Sequence, residues 1–170
     1  MAHSREVGRL TVACSRKRQS RAADARRQAT LNSNYEIVDG IHLVQSSHEP
    51  DLHNDFIFQN LDYSVAERKL DLNWDCSKGQ WVSEGTPNSV TIEFNEVREF
   101  RFMPRDSKFP FTEDDCISSF GYWVDEDWVE GVIMVAPNQK AEPHWLDAIE
   151  FMSGAVIAIQ ADSANAKIVA

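Results

Sequence analysis

Two histidines and three carboxylic acids stand within eight residues, in a segment that reads His48-Glu49-Pro50-Asp51-Leu52-His53-Asn54-Asp55. Imidazole nitrogens and carboxylate oxygens are ligands for divalent metals, so His48, His53 and Asp55 are the candidate ligands of a metal-dependent enzyme. Their spacing matches no known zinc signature. A loop rich in Pro, Asp, Asn and His is equally typical of a surface turn. The segment therefore keeps metal chemistry open as an alternative to a binding function.

Other catalytic motifs are missing from the sequence. No Ser or Cys lies in a Gly-x-Ser-x-Gly elbow, and the seven glycines form no phosphate-binding loop. Cys116 falls in a predicted helix of about two turns that Thr112 caps and Gly121 ends, with Ile117 and Phe120 on one face. The helix dipole would lower the pKa of this thiol, and the neighbouring carboxylates would oppose that effect. We therefore expect a non-catalytic protein without a cofactor.

An acidic stretch offers a better functional candidate. Seven carboxylates and no Lys or Arg occur from Glu113 to Glu130. Within it, the acidic triplet 125–127 lies between two tryptophans, at the tip of a predicted hairpin. Aromatic side chains supply contact energy at interfaces, and charges steer an oppositely charged partner. The predicted contacts to a protein with a basic surface are Trp123, Asp125, Glu126, Asp127 and Trp128. Helix capping and solubility are the alternative explanation of the charges.

The charge of the chain changes sign near residue 32. The first 32 residues carry eight Lys or Arg and two acidic residues, a net charge of +6. The remaining residues carry nine Lys or Arg and 25 acidic residues, a net charge of −16. We predict a basic, disordered extension over residues 1–33 and a single acidic domain over 34–170. The extension has three further interpretations: a transit peptide, a nucleic-acid-binding tail, or a start codon assigned upstream of a true start at Leu31.

Composition narrows the class of protein. Hydrophobic residues make up 42% of the 170 residues, which suits a folded domain with one core. No run of 18 apolar residues occurs, so the sequence predicts no transmembrane helix and no membrane partner. Three distant cysteines without Cys-x-x-Cys spacing favour reduced thiols and a cytoplasmic protein, although a Cys76–Cys116 bridge remains open. Nucleic acid is expected to bind only through the basic segment, if at all.

Strand signals dominate the acidic domain. Asp39-Gly40 between two short β-type runs predicts a hairpin with a type I′ turn. Period-two alternation predicts half-buried strands around Leu72 and Ile92, and a shorter strand around Trp81. Asn95-Glu96 must be a tight turn or a bulge, because the apolar positions change parity across it. A further hairpin is predicted around Ser153-Gly154, and a short edge strand at 167–169. The fold class is therefore mainly β, an antiparallel meander sheet or small sandwich with one or two short helices.

The strand and turn residues also carry a resemblance. The run from Ser89 to Phe102, together with Leu70-Asp71-Leu72-Asn73-Trp74 and Ile149-Glu150-Phe151-Met152-Ser153-Gly154-Ala155, resembles small β-rich bacterial proteins that are uncharacterised or classed as immunity proteins of polymorphic toxin systems. The resemblance implies a binding protein that neutralises a toxin by occupying it. We therefore expect an acidic interaction module, with a metal-dependent enzyme or a structural homo-oligomer as alternatives.

Overall fold

The computed structural model describes residues 31–126, 129–134, 142 and 144–170 of the chain. A single turn of 3-10 helix spans Phe111–Glu113. Predicted contacts Asp127 and Trp128 lie outside the described residues, as does the basic segment up to residue 30. The strands are β1 (Asn32–Ser33), β2 (Glu36–Val38), β3 (His42–Val44), β4 (Phe56–Ser64), β5 (Lys69–Cys76), β6 (Ser89–Asn95), β7 (Glu99–Met103), β8 (Ile117–Glu126), β9 (Val129–Ile133), β10 (Leu146–Phe151), β11 (Val156–Gln160) and β12 (Ser163–Val169).

Ten of these strands form two five-stranded sheets. The first sheet has the order β1-β12-β6-β5-β4, the second has the order β7-β11-β10-β8-β9, and β2 and β3 form a separate hairpin. All strand pairs are antiparallel except β1 with β12. The predicted mainly β, antiparallel architecture is confirmed, in its sandwich form.

A continuous core joins the two sheets. From the first sheet, alternate residues of β5 and β6 are buried, with Leu72 and Ile92 fully so. From the second, Ile149 and Ile157 belong to the same cluster. The rings of Phe58 and Phe151 cross between the sheets with centroids 4.9 Å apart. Each fully buried side chain of this size contributes about 1.5–3 kcal/mol to folding. The buried faces that the alternating residues form therefore stabilise the sandwich.

The two turns predicted at Asp39-Gly40 and Asn95-Glu96 are present. Asp39 and Gly40 both have positive φ, 51° and 73°, and the N–H of Ile41 donates to the carbonyl of Val38, which completes the turn between β2 and β3. Glu96 also has positive φ, 55°. Glu96 directly follows β6 of the first sheet and precedes β7 of the second. The change in parity of the apolar positions therefore marks the point where the chain crosses between the sheets.

The predicted helix after Thr112 is wrong beyond its first turn. Ile117 and Phe120 belong to β8 and pair with β10. A register shift between Glu150 and Phe151 inserts one extra residue into β8, so both Ile117 and Phe120 are buried although they are three residues apart. A separation of three residues is also typical of two side chains on one face of a helix. The strand expected around Trp81 is also absent: its side chain is 69% exposed.

One edge of the first sheet differs from the sequence prediction. β12 is seven residues long and pairs with β6, so it lies inside the sheet and is not an edge. Its other neighbour is β1, the strand formed by Asn32 and Ser33. These two residues were assigned to the basic extension, yet they pair with the acidic domain. The side chain of Leu31 also packs against the main core.

Candidate functional site

The histidine-containing loop is held together by its own hydrogen bonds. The Asp51 carboxylate accepts hydrogen bonds from the backbone N–H groups of His53 and Asn54, at 3.0 and 2.9 Å, and from the Asn54 side chain at 2.7 Å. Burial alone would raise the pKa of Asp51, but these hydrogen bonds and the nearby His42 outweigh it and lower the pKa. Asp51 therefore fixes the shape of the loop.

The predicted metal ligands do not gather in this loop. His48 is exposed, and the Nδ1 atom of His53 lies 2.5 Å from the carbonyl oxygen of Ile117. Because a carbonyl only accepts, this nitrogen carries the proton and donates. Within the described ranges, no three His, Cys, Asp or Glu residues are placed to hold a metal ion. The arrangement gives the predicted set of His48, His53 and Asp55 no support.

The pair formed by Cys116 and His53 has the residue types of a nucleophile and base. The Cys116 sulfur lies 3.7 Å from His53 Nδ1. However, burial raises the pKa of Cys116, and the carboxylates of Glu113, Asp115 and Asp51 raise it further. Cys116 and Cys76 are both free thiols. The expected lowering of the Cys116 pKa by a helix dipole is wrong, because no helix extends to this residue, whereas the expected opposing effect of neighbouring carboxylates is present at Asp115.

The acidic hairpin predicted around residues 125–127 is present in the backbone. β8 and β9 pair with Asp125 opposite Glu130 and Glu126 opposite Val129. The indole of Trp123 is half-buried and packs against a small cluster on the face of the second sheet opposite the main core. Its Nε1 atom is buried and finds no hydrogen-bond acceptor in the described parts of the chain. Trp123 therefore packs the sheet that supports the hairpin.

Two long segments without positive charge meet beside this hairpin. Residues 31–67 and residues 109–139 each contain seven acidic residues and no Lys or Arg. We call them the cation-free segments. They are joined where the backbone N–H of Phe120 donates to the carbonyl of Gly40, with a nitrogen–oxygen distance of 2.6 Å. The fold therefore places one acidic stretch against another that is about 80 positions away in the sequence.

Most Lys and Arg residues of the described chain pair with carboxylates outside the cation-free segments. Seven Lys and Arg residues of the described chain form ion pairs with carboxylates, and only Asp114 among those carboxylates belongs to a cation-free segment. The pairs are Lys69 with Asp71 and Glu93, Lys167 with Glu93, Arg68 with Glu96, Arg98 with Asp162, Arg101 with Glu99, Arg105 with Asp114 and Lys108 with Asp106. Most acidic residues of the cation-free segments thus lack an internal counter-charge from these side chains.

A cavity of about 620 Å³ lies at the junction of the cation-free segments. We call it the acidic pocket. Its wall includes the aromatic side chains of Tyr35, Phe120 and Tyr122, and the segment from Glu36 to Gly40. The rings of Tyr35 and Phe120 are 6.4 Å apart. Asp147 contributes a carboxyl group to the same lining. The volume is within the usual range for small-ligand sites.

Asp147 is the chemically unusual residue of the acidic pocket. It lies on β10 opposite Tyr122 of β8, at a position that shares the inward face with Ile149 and Phe151. Burial raises the pKa of this carboxyl to about 7, against the effect of a hydrogen bond from its own backbone N–H. Burial also raises the pKa of Tyr35 and Tyr122, and the Asp147 charge adds to both effects. The pocket therefore holds a carboxyl that changes charge near neutral pH beside two neutral phenols.

The sequence prediction did not identify Asp147. The sequence pattern predicts a strand that starts at residue 148, one residue after Asp147, whereas β10 begins at Leu146. The available signal was an acid two residues before Ile149 in a strand whose odd-numbered positions face the core. An acid at an inward position of a strand is rare unless it is paired or functional.

A second cavity, of about 450 Å³, opens between the edge strands β4 and β7. Its wall is formed mainly by apolar side chains, among them Phe58, Phe100 and Phe151. Arg105 lies in the wall, but its guanidinium pairs with Asp114 at 2.8 Å and stacks over the ring of Phe111 at 4.4 Å. The charge of Arg105 is thus already used within the protein.

No protein-family model, curated protein or solved structure matches this chain. None of the helices in the described ranges is long and apolar enough to cross a membrane. The functional interpretation therefore depends on the geometry of the acidic pocket and the distribution of charge around it.

Proposed function

We propose that this protein is a non-catalytic interaction module that binds a partner protein with a basic surface. The observation that carries the proposal is the junction of the two cation-free segments at Gly40 and Phe120. Each segment has seven acidic residues and no Lys or Arg. Clustered charge of one sign raises the encounter rate with an oppositely charged protein and disfavours partners of the same sign.

The internal ion pairs support this proposal. An acidic protein needs some attraction between its own charges to offset the repulsion within the folded state. Here the ion pairs are concentrated on β5, β6, β7 and β12 and in the segment 96–114, and none of the paired residues is among the described residues that line the acidic pocket. This segregation leaves a surface whose charge is available to a partner.

The hairpin formed by β8 and β9 extends the same surface. Glu126 lies four residues beyond Tyr122 on β8, a distance of ~13 Å at ~3.3 Å per residue. Asp125, Glu126 and Asp127 therefore remain the proposed outer contacts with the partner. An immunity-like protein, which occupies a basic toxin and blocks it, is one form of this function.

The chemistry at His53 and Cys116 favours binding over catalysis. A nucleophilic cysteine needs a lowered pKa, whereas burial and three carboxylates raise the pKa of Cys116. The His53 nitrogen nearest the sulfur is already bound to the Ile117 carbonyl. This nitrogen therefore lacks the free lone pair of a general base.

Affinity capture with charge-reversal variants tests the proposal. We would compare the wild-type chain with Asp125→Lys/Glu126→Lys and with a control of equal charge, Asp75→Lys/Glu84→Lys, whose residues are exposed and lie outside the cation-free segments. Quantitative mass spectrometry would identify the retained proteins. We expect a basic protein that the wild type and the control retain and that the hairpin variant loses. Equal retention by both variants, or a retained protein with an acidic surface, would contradict the proposal.

A further inference from the structure

We propose that the acidic pocket binds the ammonium group of a lysine side chain that the basic partner inserts between Tyr35, Phe120, Tyr122 and Asp147. This inference rests on the proposed function and adds to it the site and the chemical group. It concerns one anchoring side chain, whereas the hairpin charges concern the wider surface.

The charge of the pocket selects a cation. Asp147, Glu36 and Asp39 all line it, and the described residues of the lining include no Lys or Arg. No ion pair links Asp147 to a positively charged residue of the described chain. The half-buried Asp147 carboxylate has no counter-ion among these residues, so a cation that enters the pocket offsets its desolvation cost. The carboxylate therefore provides a driving force that an apolar or anionic ligand would not satisfy.

The aromatic lining suits an ammonium group on an aliphatic stem. The faces of Tyr and Phe rings attract cations within ~6 Å of the ring centre, and the phenol oxygens of Tyr35 and Tyr122 add hydrogen-bond acceptors. The four methylene groups of a lysine side chain can lie along apolar walls while the charged end reaches a deeper acceptor. A lysine side chain thus matches both the carboxylate and the aromatic surface of the pocket.

The groups that line the pocket favour ammonium over guanidinium. The Asp147 carboxyl shares the lining with the phenols of Tyr35 and Tyr122. A guanidinium group binds best when both carboxylate oxygens are free to accept its parallel donors. An ammonium group is a compact point charge with three donors, so one carboxylate oxygen and a phenol oxygen can hold it.

The depth of Asp147 makes lysine binding depend on pH. The titratable side chains that face this group are Tyr35 from the segment before β2 and Tyr122 from β8, while Glu36 and Asp39 supply the other charges of the lining. With a pKa of about 7, Asp147 is mostly protonated at pH 6 and mostly ionised at pH 8. The lysine ammonium stays charged throughout this range. Affinity for the ammonium group should therefore rise by about tenfold between pH 6 and pH 8.

Amide NMR of the full-length, nitrogen-15-labelled chain tests the inference without the partner. The probe is Nα-acetyl-lysine N-methylamide, which presents a lysine side chain as a protein does. We expect saturable shifts of the Tyr35, Phe120, Tyr122 and Asp147 amides, with a dissociation constant of roughly 1–10 mM at pH 8 and about tenfold weaker binding at pH 6. No saturable shift at these amides, or equal affinity at the two pH values, would overturn the proposal.

Competing ligands form further arms of the same experiment. The neutral analogue Nα-acetyl-norleucine N-methylamide should leave the pocket amides unshifted. Spermidine that binds more than tenfold tighter than the lysine probe would assign the pocket to a free polyamine and overturn the assignment to a protein side chain. Nα-acetyl-arginine N-methylamide that binds as tightly as the lysine probe would overturn the choice of ammonium.

Variants separate the role of Asp147 from its effect on folding. Asp147→Asn keeps the size of the side chain and should abolish the probe-induced shifts, whereas Asp62→Asn, on an exposed residue of β4, should not change them. Tyr122→Phe removes one phenol acceptor and should weaken the probe by about threefold to tenfold in a folded protein. An unchanged affinity in both Asp147→Asn and Tyr122→Phe would refute the site.

The results for the pocket and for the proposed function are distinguishable. Capture of a basic partner that is lost on reversal of Asp125 and Glu126 but kept in Asp147→Asn would support the interaction module and refute the lysine pocket. If the lysine probe binds saturably but the wild type and Asp125→Lys/Glu126→Lys capture the same proteins, the pocket is supported and the interaction module as proposed is refuted.

Discussion

The carbonyl oxygen of Gly40 accepts a hydrogen bond from the backbone N–H of Phe120, at 2.6 Å. This contact ties the turn between β2 and β3 to the middle of β8. Gly40 has φ +73°, and a methyl group on its Cα would stand 2.6 Å from the sulfur of Met134. The positive φ suits glycine at this turn, while the exposed Met134 side chain is flexible enough to move aside.

Close packing behind the acidic pocket gives a first prediction. A Cβ atom added to Gly121 would lie 2.3 Å from the carbonyl oxygen of Ile133, so Gly121→Ala must push β9 away from β8. We expect a loss of about 1–3 kcal/mol in the free energy of unfolding. Urea denaturation measures it, with Ser118→Ala, an exposed position on the same strand, as the control. A loss no greater than that of the control would refute the close approach.

The second prediction concerns the pH dependence of stability at Asp147. Burial raises the pKa of this carboxyl to about 7, so the folded state holds a proton that the unfolded state releases near pH 4. Its contribution to stability is therefore most favourable below pH 4 and declines as pH rises through 7, by at most about 4 kcal/mol.

Urea unfolding of Asp147→Asn tests this linkage, because the variant lacks the titrating group. Relative to the wild type, we expect Asp147→Asn to gain stability between pH 5 and pH 7, by about 1.4 kcal/mol for each pH unit at most. Asp62→Asn, at an exposed site, controls for the loss of one carboxylate. A difference between Asp147→Asn and the wild type that stays constant with pH would contradict the raised pKa of Asp147.

The third prediction concerns an ion-pair network on the first sheet. Glu93 of β6 contacts Lys69 of β5 at 2.6 Å and Lys167 of β12 at 2.7 Å. Hydrogen bonds from Lys167 and then Lys69 lower the pKa of Glu93 to about 2. A carboxyl with a lowered pKa stabilises the fold above its unfolded pKa, and this contribution disappears as pH falls from about 5 to about 2.

Substitution of Glu93 tests the network. At pH 7 we expect Glu93→Gln to lower the free energy of unfolding by about 1 kcal/mol, since the lysines are partly solvated, and to cost less as pH approaches 2. Glu84→Gln, at an exposed site without an ion pair in the described chain, provides the comparison. Equal effects of the two substitutions at pH 7 would show that the network adds nothing.

The fourth prediction tests the core between the two sheets. Leu72 is fully buried, whereas Val65 is 75% exposed. Truncation of a buried leucine removes transfer energy and leaves a cavity, so Leu72→Ala should cost about 2–5 kcal/mol. Val65→Ala should cost less than about 0.5 kcal/mol. Thermal or urea unfolding compares them, and similar losses would be incompatible with the described packing.

Much of the sandwich could be predicted from local patterns. Val90, Ile92 and Phe94 alternate with polar residues because one face of β6 is buried, and Asp39-Gly40 takes positive φ at both positions. Ile117 and Phe120 misled the prediction because the extra residue in β8 gives two buried side chains a helical spacing. Long-range pairing creates that irregularity, so no local pattern reveals it.

The acidic pocket depends on contacts between distant segments, which is why sequence patterns did not locate it. Tyr35, Phe120 and Asp147 meet only after β8 and β10 pair and the first described residues fold over them. By contrast, the three acidic residues 125–127 are adjacent in the sequence, so the sequence alone identifies them as a charged segment. The half-buried indole of Trp123 packs on the second sheet, and this contact forms only when the strands pair.

A titration of the labelled full-length chain with a decalysine peptide, at pH 8 and near-physiological salt, tests the central claim most directly. If the uncompensated acidic surface binds basic proteins, the amide shifts will concentrate on residues 31–67 and 109–134 and around Asp147, with little change at Asp75 and Glu84. Shifts of similar size at Asp75, Glu84 and other carboxylates outside the cation-free segments would contradict the account.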